Sequence, residues 1–163
     1  FRLSYECFKQ AVKHDPNDFD AIFRLGIACN NLKKTEEALM HFNKILRKEK
    51  NNTDAIINKG YSLHLMKKYK QAILCFDKIL KENPEEMNSL YLKAKSTVKQ
   101  LNNKKACVLI SKLLQLERKN DHRNHEHEHE GNGHEHFLNK IKKDSDFIGL
   151  KNDINFKILI QNS

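Results

Sequence analysis

The 163 residues are one domain's length, and at 39% hydrophobic and 31% charged they can bury a core while leaving much polar surface. Five Gly and two Pro punctuate too little for a many-stranded sheet, no run approaches the roughly 18 consecutive apolar residues of a membrane span, and no secretory leader is visible. The net charge of +9 comes mostly from Lys, with Arg only at positions 2, 24, 47, 118 and 123, so solvated helix faces are expected rather than a base-reading surface, and no nucleic-acid partner.

In chain order, residues 4–14 read as an amphipathic helix whose hairpin partner would lie upstream of Phe1. Its unpaired face, with Tyr5, Cys7 and Val12, predicts either upstream helices or self-association through this N-terminal helix. Asp15-Pro16-Asn17 then ends it, because Pro lacks an N–H and clashes with the preceding turn. Ile22, Leu25, Cys29 and Leu32 form one apolar stripe, and Leu39, Phe42, Ile45 and Leu46 the next. Lys33, Lys34 and Thr35 separate them, short enough to force an antiparallel hairpin. Thr35 before Glu36 and Glu37 reads as a capping hydroxyl with acids in the first turn. The same sequence of events recurs up to Asn83-Pro84.

The recurrence has a fixed interval of 34 residues. Phe8, Phe42, Phe76 and Ile110 keep it, as do Ser4, Ala38, Ala72 and Ala106, then Ala11, Ile45, Ile79 and Leu113, and Gly26, Gly60 and Ala94. Gly in mid-helix costs about 1 kcal/mol against Ala, so Gly26 and Gly60 imply two helix backbones in close approach, with Phe42 and Phe76 filling the space beside them. A hairpin cannot bury its own apolar face, so successive hairpins share a core.

Residues 21–29 (AIFRLGIAC) and 37–46 (EALMHFNKIL), then 59–61 (KGY), 71–80 (QAILCFDKIL) and Asn83-Pro84, resemble tetratricopeptide repeats over roughly residues 1–120. The resemblance implies an all-α fold: an α-solenoid of antiparallel helix hairpins wound as a right-handed superhelix. Its expected parts are a half repeat at 1–18, repeats at 19–52, 53–86 and 87–120, a His/Glu-rich insert at 121–136 and capping helices at 137–163. Ile22, Ile56 and Leu90 stand where the family has a larger anchor, and the last unit lacks both the Gly and the Phe. The tail resembles the closing helices of bacterial and archaeal arrays, with Phe147, Leu150, Phe156 and Leu159 sealing the open end.

The family also implies a concave groove lined by the first helix of each unit. The partner-binding positions expected there are Phe23, Arg24, Ile27, Ile57, Asn58, Tyr61, Tyr91 and Lys95. Aromatic and apolar area with a few polar groups suits a peptide or helix of a protein partner, and Asn58 carries an amide able to bond a partner's main chain. Tyr61 and Tyr91 can equally pack between neighbouring helices. One subtype grips a C-terminal carboxylate with Lys, Asn and Arg. Here Asn58 matches, but Phe23, Ile27, Asn88 and Leu92 do not, so that clamp is not expected.

His122, His125, His127, His129, His134 and His136 alternate with Glu126, Glu128, Glu130 and Glu135. Imidazole suits Zn, Ni and Cu, so a metal-binding role is the alternative reading, beside that of a solvated low-complexity loop. Residues 125–129 formally match H-E-x-x-H, but no apolar residue lies between Asp121 and His136 to build the buried helix that motif requires. Cys7, Cys29, Cys75 and Cys107 lack metal-module spacing and read as buried thiols of a reducing, cytoplasmic protein. His14, His41 and His64 read as surface residues. With no phosphate-cradling loop and no nucleophile elbow, an interaction scaffold is expected rather than an enzyme.

Overall fold

In the computed structural model the residues described are 2–124 and 136–161, without the side chains of 121–124. Every described element is a helix: α1 (Arg2–His14), α2 (Phe19–Asn31), α3 (Thr35–Lys48), α4 (Thr53–Leu65), α5 (Tyr69–Glu82), α6 (Met87–Lys99), α7 (Asn103–Asn124), α8 (His136–Lys143), a 3₁₀ segment (Ser145–Leu150) and α9 (Ile154–Gln161).

The boundaries repeat as the apolar columns do. Asp18, Asn52 and Glu86 precede α2, α4 and α6 and accept hydrogen bonds from Ala21 N, Ala55 N and Ser89 N, satisfying otherwise orphaned donors. The turns after these helices carry Lys33, Lys67 and Leu101, each at φ 60°. Beyond each, Lys34, Lys68 and Asn102 donate back to Cys29, Leu63 and Thr97 carbonyls at 2.9, 2.9 and 3.2 Å. This is a left-handed helix stop that usually takes Gly; a side chain there costs about 1 kcal/mol. The stop also explains why Thr35 does not cap α3. Lys34 already turns the chain, so Thr35 is the first helical residue and is buried.

The chain divides into two compact units, residues 1–79 and 80–163, with the boundary inside α5. In the first, Tyr5, Ile22, Leu25, Cys29, Ala38, Phe42 and Ile45 form one apolar cluster. Phe42 and Phe76 are both fully buried. A Cβ on Gly26 would lie 2.7 Å from Phe42 Cζ, and one on Gly60 would lie 2.6 Å from Phe76 Cε1, so the glycines are where they are because the rings lie against the helix backbone. Phe8 is half-buried and packs against this cluster. Tyr5 of α1, expected on an open face, is instead buried, with Oη donating to Glu37 Oε1 at 2.9 Å. Lys44 Nζ and Lys78 Nζ donate to Pro16 O and Lys50 O at 2.5 and 2.9 Å, a strap repeated at the 34-residue interval.

In the second unit, α6 and α7 pair and the tail closes over them in one cluster with Leu90, Tyr91, Ile110, Leu113, Phe137, Ile141, Phe147, Leu150 and Phe156. Ala94 and Ile110 stand here where the other units have Gly and Phe, and both are fully buried in this cluster. Phe147, Leu150 and Phe156 are buried and Leu159 packs against this cluster. The α6–α7 hairpin and the tail therefore share one packing cluster, and α7 runs four residues past the expected end of the repeat.

Candidate functional site

Two columns at the 34-residue interval define the face on the first helices. One is Phe23, Ile57 and Tyr91; the other is Ile27, Tyr61 and Lys95. In the first unit, α2 and α4 are neighbours, and Phe23, Ile27, Ile57 and Tyr61 are all half-buried, neither sealed in nor fully wet. Phe23 sits edge-on to Phe42, ring centroids 5.9 Å apart, so part of its area serves the repeat's own core. Behind this face Ser62 Oγ donates to Asn30 Oδ1 at 3.0 Å, a buried link from α4 to α2.

The polar groups are partly engaged. Arg24 is exposed and its Nε donates to Asp20 Oδ2 at 2.6 Å. Asn58 Nδ2 donates to Asp54 O of its own helix at 2.9 Å, which engages one of its two amide N–H donors. Beside Phe19 and Phe23 lies an opening of about 290 Å³, also lined by Asp20, Ile45, Glu49, Asn52 and Asp54. That is at the small end of the range of small-molecule sites, roughly 300–1,000 Å³.

The third row differs, and here the expectation needs correcting. Tyr91 does not line an open groove: it is 3% exposed. Its ring meets Phe137 and Phe147 at 5.7 and 5.8 Å between centroids, and its hydroxyl bonds Asp144. Lys95 is no open groove residue either. Its Nζ lies 2.8 Å from Asp144 Oδ2 and 3.0 Å from Asp146 Oδ2, while Lys99 Nζ lies 2.9 Å from Asp146 Oδ1. Asp144 also caps the 3₁₀ segment, accepting from Asp146 N at 2.9 Å. Burial opposes the charge on Asp144, but hydrogen bonds from Lys95 and Tyr91 outweigh it and hold its pKa below the ordinary carboxylate value. Burial likewise opposes the charge on Lys95, and the two carboxylates outweigh that and raise its pKa. On α6, then, the chain's own tail covers both columns. The tail's apolar pattern was legible in sequence, but no periodicity says which face a non-repeating segment will cover.

Of the histidine insert, His125, His127, His129, His134 and the side chain of His122 lie outside the described residues. His136 opens α8, exposed, with its ring edge-on to Phe137. Two other histidines are less exposed than expected: His64 is buried, 5.3 Å from the Tyr69 ring, and His41 is half-buried. Cys29 and Cys107 are buried and Cys75 half-buried, but Cys7 is exposed. No helix among the described residues is long and apolar enough to cross a membrane.

The chain resembles known proteins at two levels. In fold it is similar to MamA, whose crystal structure matches with a TM-score of 0.62 at 16% identity, over 70% of this chain and 67% of that one. MamA from Desulfovibrio magneticus RS-1, residue 41 to its end, matches with a TM-score of 0.64 at 22% identity, over 96% of this chain and 82% of that one. No curated protein matches by sequence. The family model described as anaphase-promoting complex, cyclosome, subunit 3 matches residues 31–113, just over half of the chain, and a tetratricopeptide repeat model matches residues 7–40. Both models describe repeats of the kind that the columns and hairpins display, and the chain belongs to the tetratricopeptide-repeat family.

Proposed function

We propose that the protein is a non-catalytic interaction scaffold. A peptide or helix of a protein partner lies on the α2–α4 face of the first unit, against Phe23, Ile27, Ile57 and Tyr61. The observation that carries this reading is the contrast between rows. On α6 the same two columns are covered by aromatic and acidic side chains of the tail, which illustrates how this helix surface takes a short helical segment. On α2 and α4 the equivalent side chains are apolar or aromatic and half-exposed. Anchors of this kind supply affinity at interfaces, and a helix laid in an apolar groove is a recurring mode of recognition.

The flanking opening adds a chemical preference. Asp20 is paired with Arg24, and the remaining carboxylates, Glu49 and Asp54, favour a Lys or Arg on the partner next to its apolar anchor, although the chain as a whole is basic. The test is affinity capture from native lysate with wild type and with Ile27→Glu and Tyr61→Ala, folding being checked by helical circular dichroism. A partner retained by wild type and lost at least tenfold by both variants is the expected outcome. Equal capture by all three would sink the reading, and capture lost only with Asp54→Lys would shift the site to the acidic opening.

A further inference from the structure

We propose that Cys29, Glu37 and His41 form a three-ligand site for a borderline divalent ion of the Zn(II) class, with water as the fourth ligand. Cys29 lies near the end of α2. Glu37 and His41 lie one turn apart on α3, an i, i+4 pair on one helix face. One donor atom from each of the three lies within 4.8 Å of the others. Zn(II) bound at about 2.0–2.3 Å holds its donors about 3.3–3.8 Å apart, so closure by about 1 Å is needed. The half-buried Glu37 and His41 can supply it by side-chain rotation.

Two observations set this cluster apart from ordinary core packing. The first is an orphan: His41 Nε2 is shielded from solvent and has no hydrogen-bond partner among the described residues, a costly state for a ring nitrogen. The second is the repeat itself, which serves as an internal control. The equivalents of Cys29, Glu37 and His41 are Leu63, Gln71 and Cys75 one repeat on, and Thr97, Lys105 and Leu109 in the next. The hairpin closes with no ligand trio in either, so the fold does not require one at 29, 37 and 41.

The donor set selects the ion. Thiolate and imidazole favour Zn(II) and Co(II) over Mg(II) or Ca(II), which prefer all-oxygen cages. Thiolate plus carboxylate neutralises a 2+ charge. Tyr5 Oη donates to Glu37 Oε1 and so orients the carboxylate, as outer partners of metal sites commonly do. Lys34 Nζ stands 3.8 Å from Glu37 Oε2 and has to swing outward, which its exposure permits; Lys9 and Lys44 are the other cations that bear on the cluster. Burial first, and Glu37 second, push the Cys29 thiol up to about 12. Metal entry therefore breaks the S–H bond, forms the S–metal bond and releases one proton to solvent.

The test is titration of the reduced 163-residue chain with Co(II), read as the near-ultraviolet thiolate-to-cobalt charge-transfer band. The histidine insert contains no Cys and is silent in that band. One equivalent of Co(II) should produce it and Zn(II) should bleach it. Cys29→Thr, which installs the residue found at position 97, should abolish it with helix content kept. His41→Gln should weaken binding more than about tenfold, and Cys75→Ser should leave it unchanged. No band at stoichiometric Co(II), a band that survives Cys29→Thr, or one lost with Cys75→Ser would each overturn the proposal.

Discussion

Gly26 and Phe42 are best understood as one feature. Phe42 is buried outright, and its ring occupies the place where a residue-26 side chain would begin. The pair recurs as Gly60 with Phe76, and changes together to Ala94 with Ile110. Helix propensity alone makes Gly26→Ala stabilising by about 1 kcal/mol; overpacking makes it destabilising by about 1–3 kcal/mol. The contact distance decides for overpacking. Urea denaturation should show Gly26→Ala less stable than wild type, and the combination with Phe42→Ile less destabilised than the sum of the two single changes, with a coupling of about 1 kcal/mol. A stabilised Gly26→Ala would refute this account. The relation was visible in sequence, because two columns at a fixed interval exchange size together. The orphaned ring nitrogen of His41 was not, because that position is apolar or Cys in the other repeats and no column flags it.

Among the elements, the 3₁₀ segment is held to α6 by polar groups as well as rings. Lys95, Asp144 and Asp146 are largely shielded from solvent, so removing one charge leaves the others uncompensated. Asp144→Asn should loosen the tail by about 2 kcal/mol, seen as faster amide exchange over residues 145–161. The pH dependence follows from the signs. The Asp144 pKa is lowered from 3.8, so its contribution is present above that value and lost as pH falls through its lower folded pKa. The Lys95 pKa is raised from 10.5, so its contribution is present below that value and lost as pH rises through its higher folded pKa. Tail protection should therefore be flat between about pH 5 and 9 and fall beyond both ends; a midpoint near neutrality would contradict the ion-pair account. The helices themselves were legible, since period, Pro and the small residues fall where the hairpins need them. What covers Tyr91 was not, since a tail without repeats has no second copy against which its contacts can be read.

At the scale of the molecule, two apolar clusters occupy separate stretches of the chain, one around Phe42 and one around Phe147. Repeat arrays draw stability from each unit and its neighbours rather than from one centre. Phe42→Ala, at a cost of about 3–5 kcal/mol, should lower amide protection first in α2 and α3. Phe147→Ala should do so first in α6, α7 and the tail. Hydrogen exchange that accelerates uniformly over all the described helices for either variant would contradict this. The division inside α5 was not legible, because the 34-residue period treats that helix like any other.

Cys7 stands apart from the other three thiols. It is exposed, and it lies on α1, the helix whose incomplete pairing suggested self-association. Air oxidation during storage would couple two chains through this one sulfur and yield a dimer by covalent accident. A dimer that disappears with dithiothreitol, or in Cys7→Ser, says nothing about α1 as a docking surface. The same thiol is the natural place for a maleimide fluorophore that follows α1 alone.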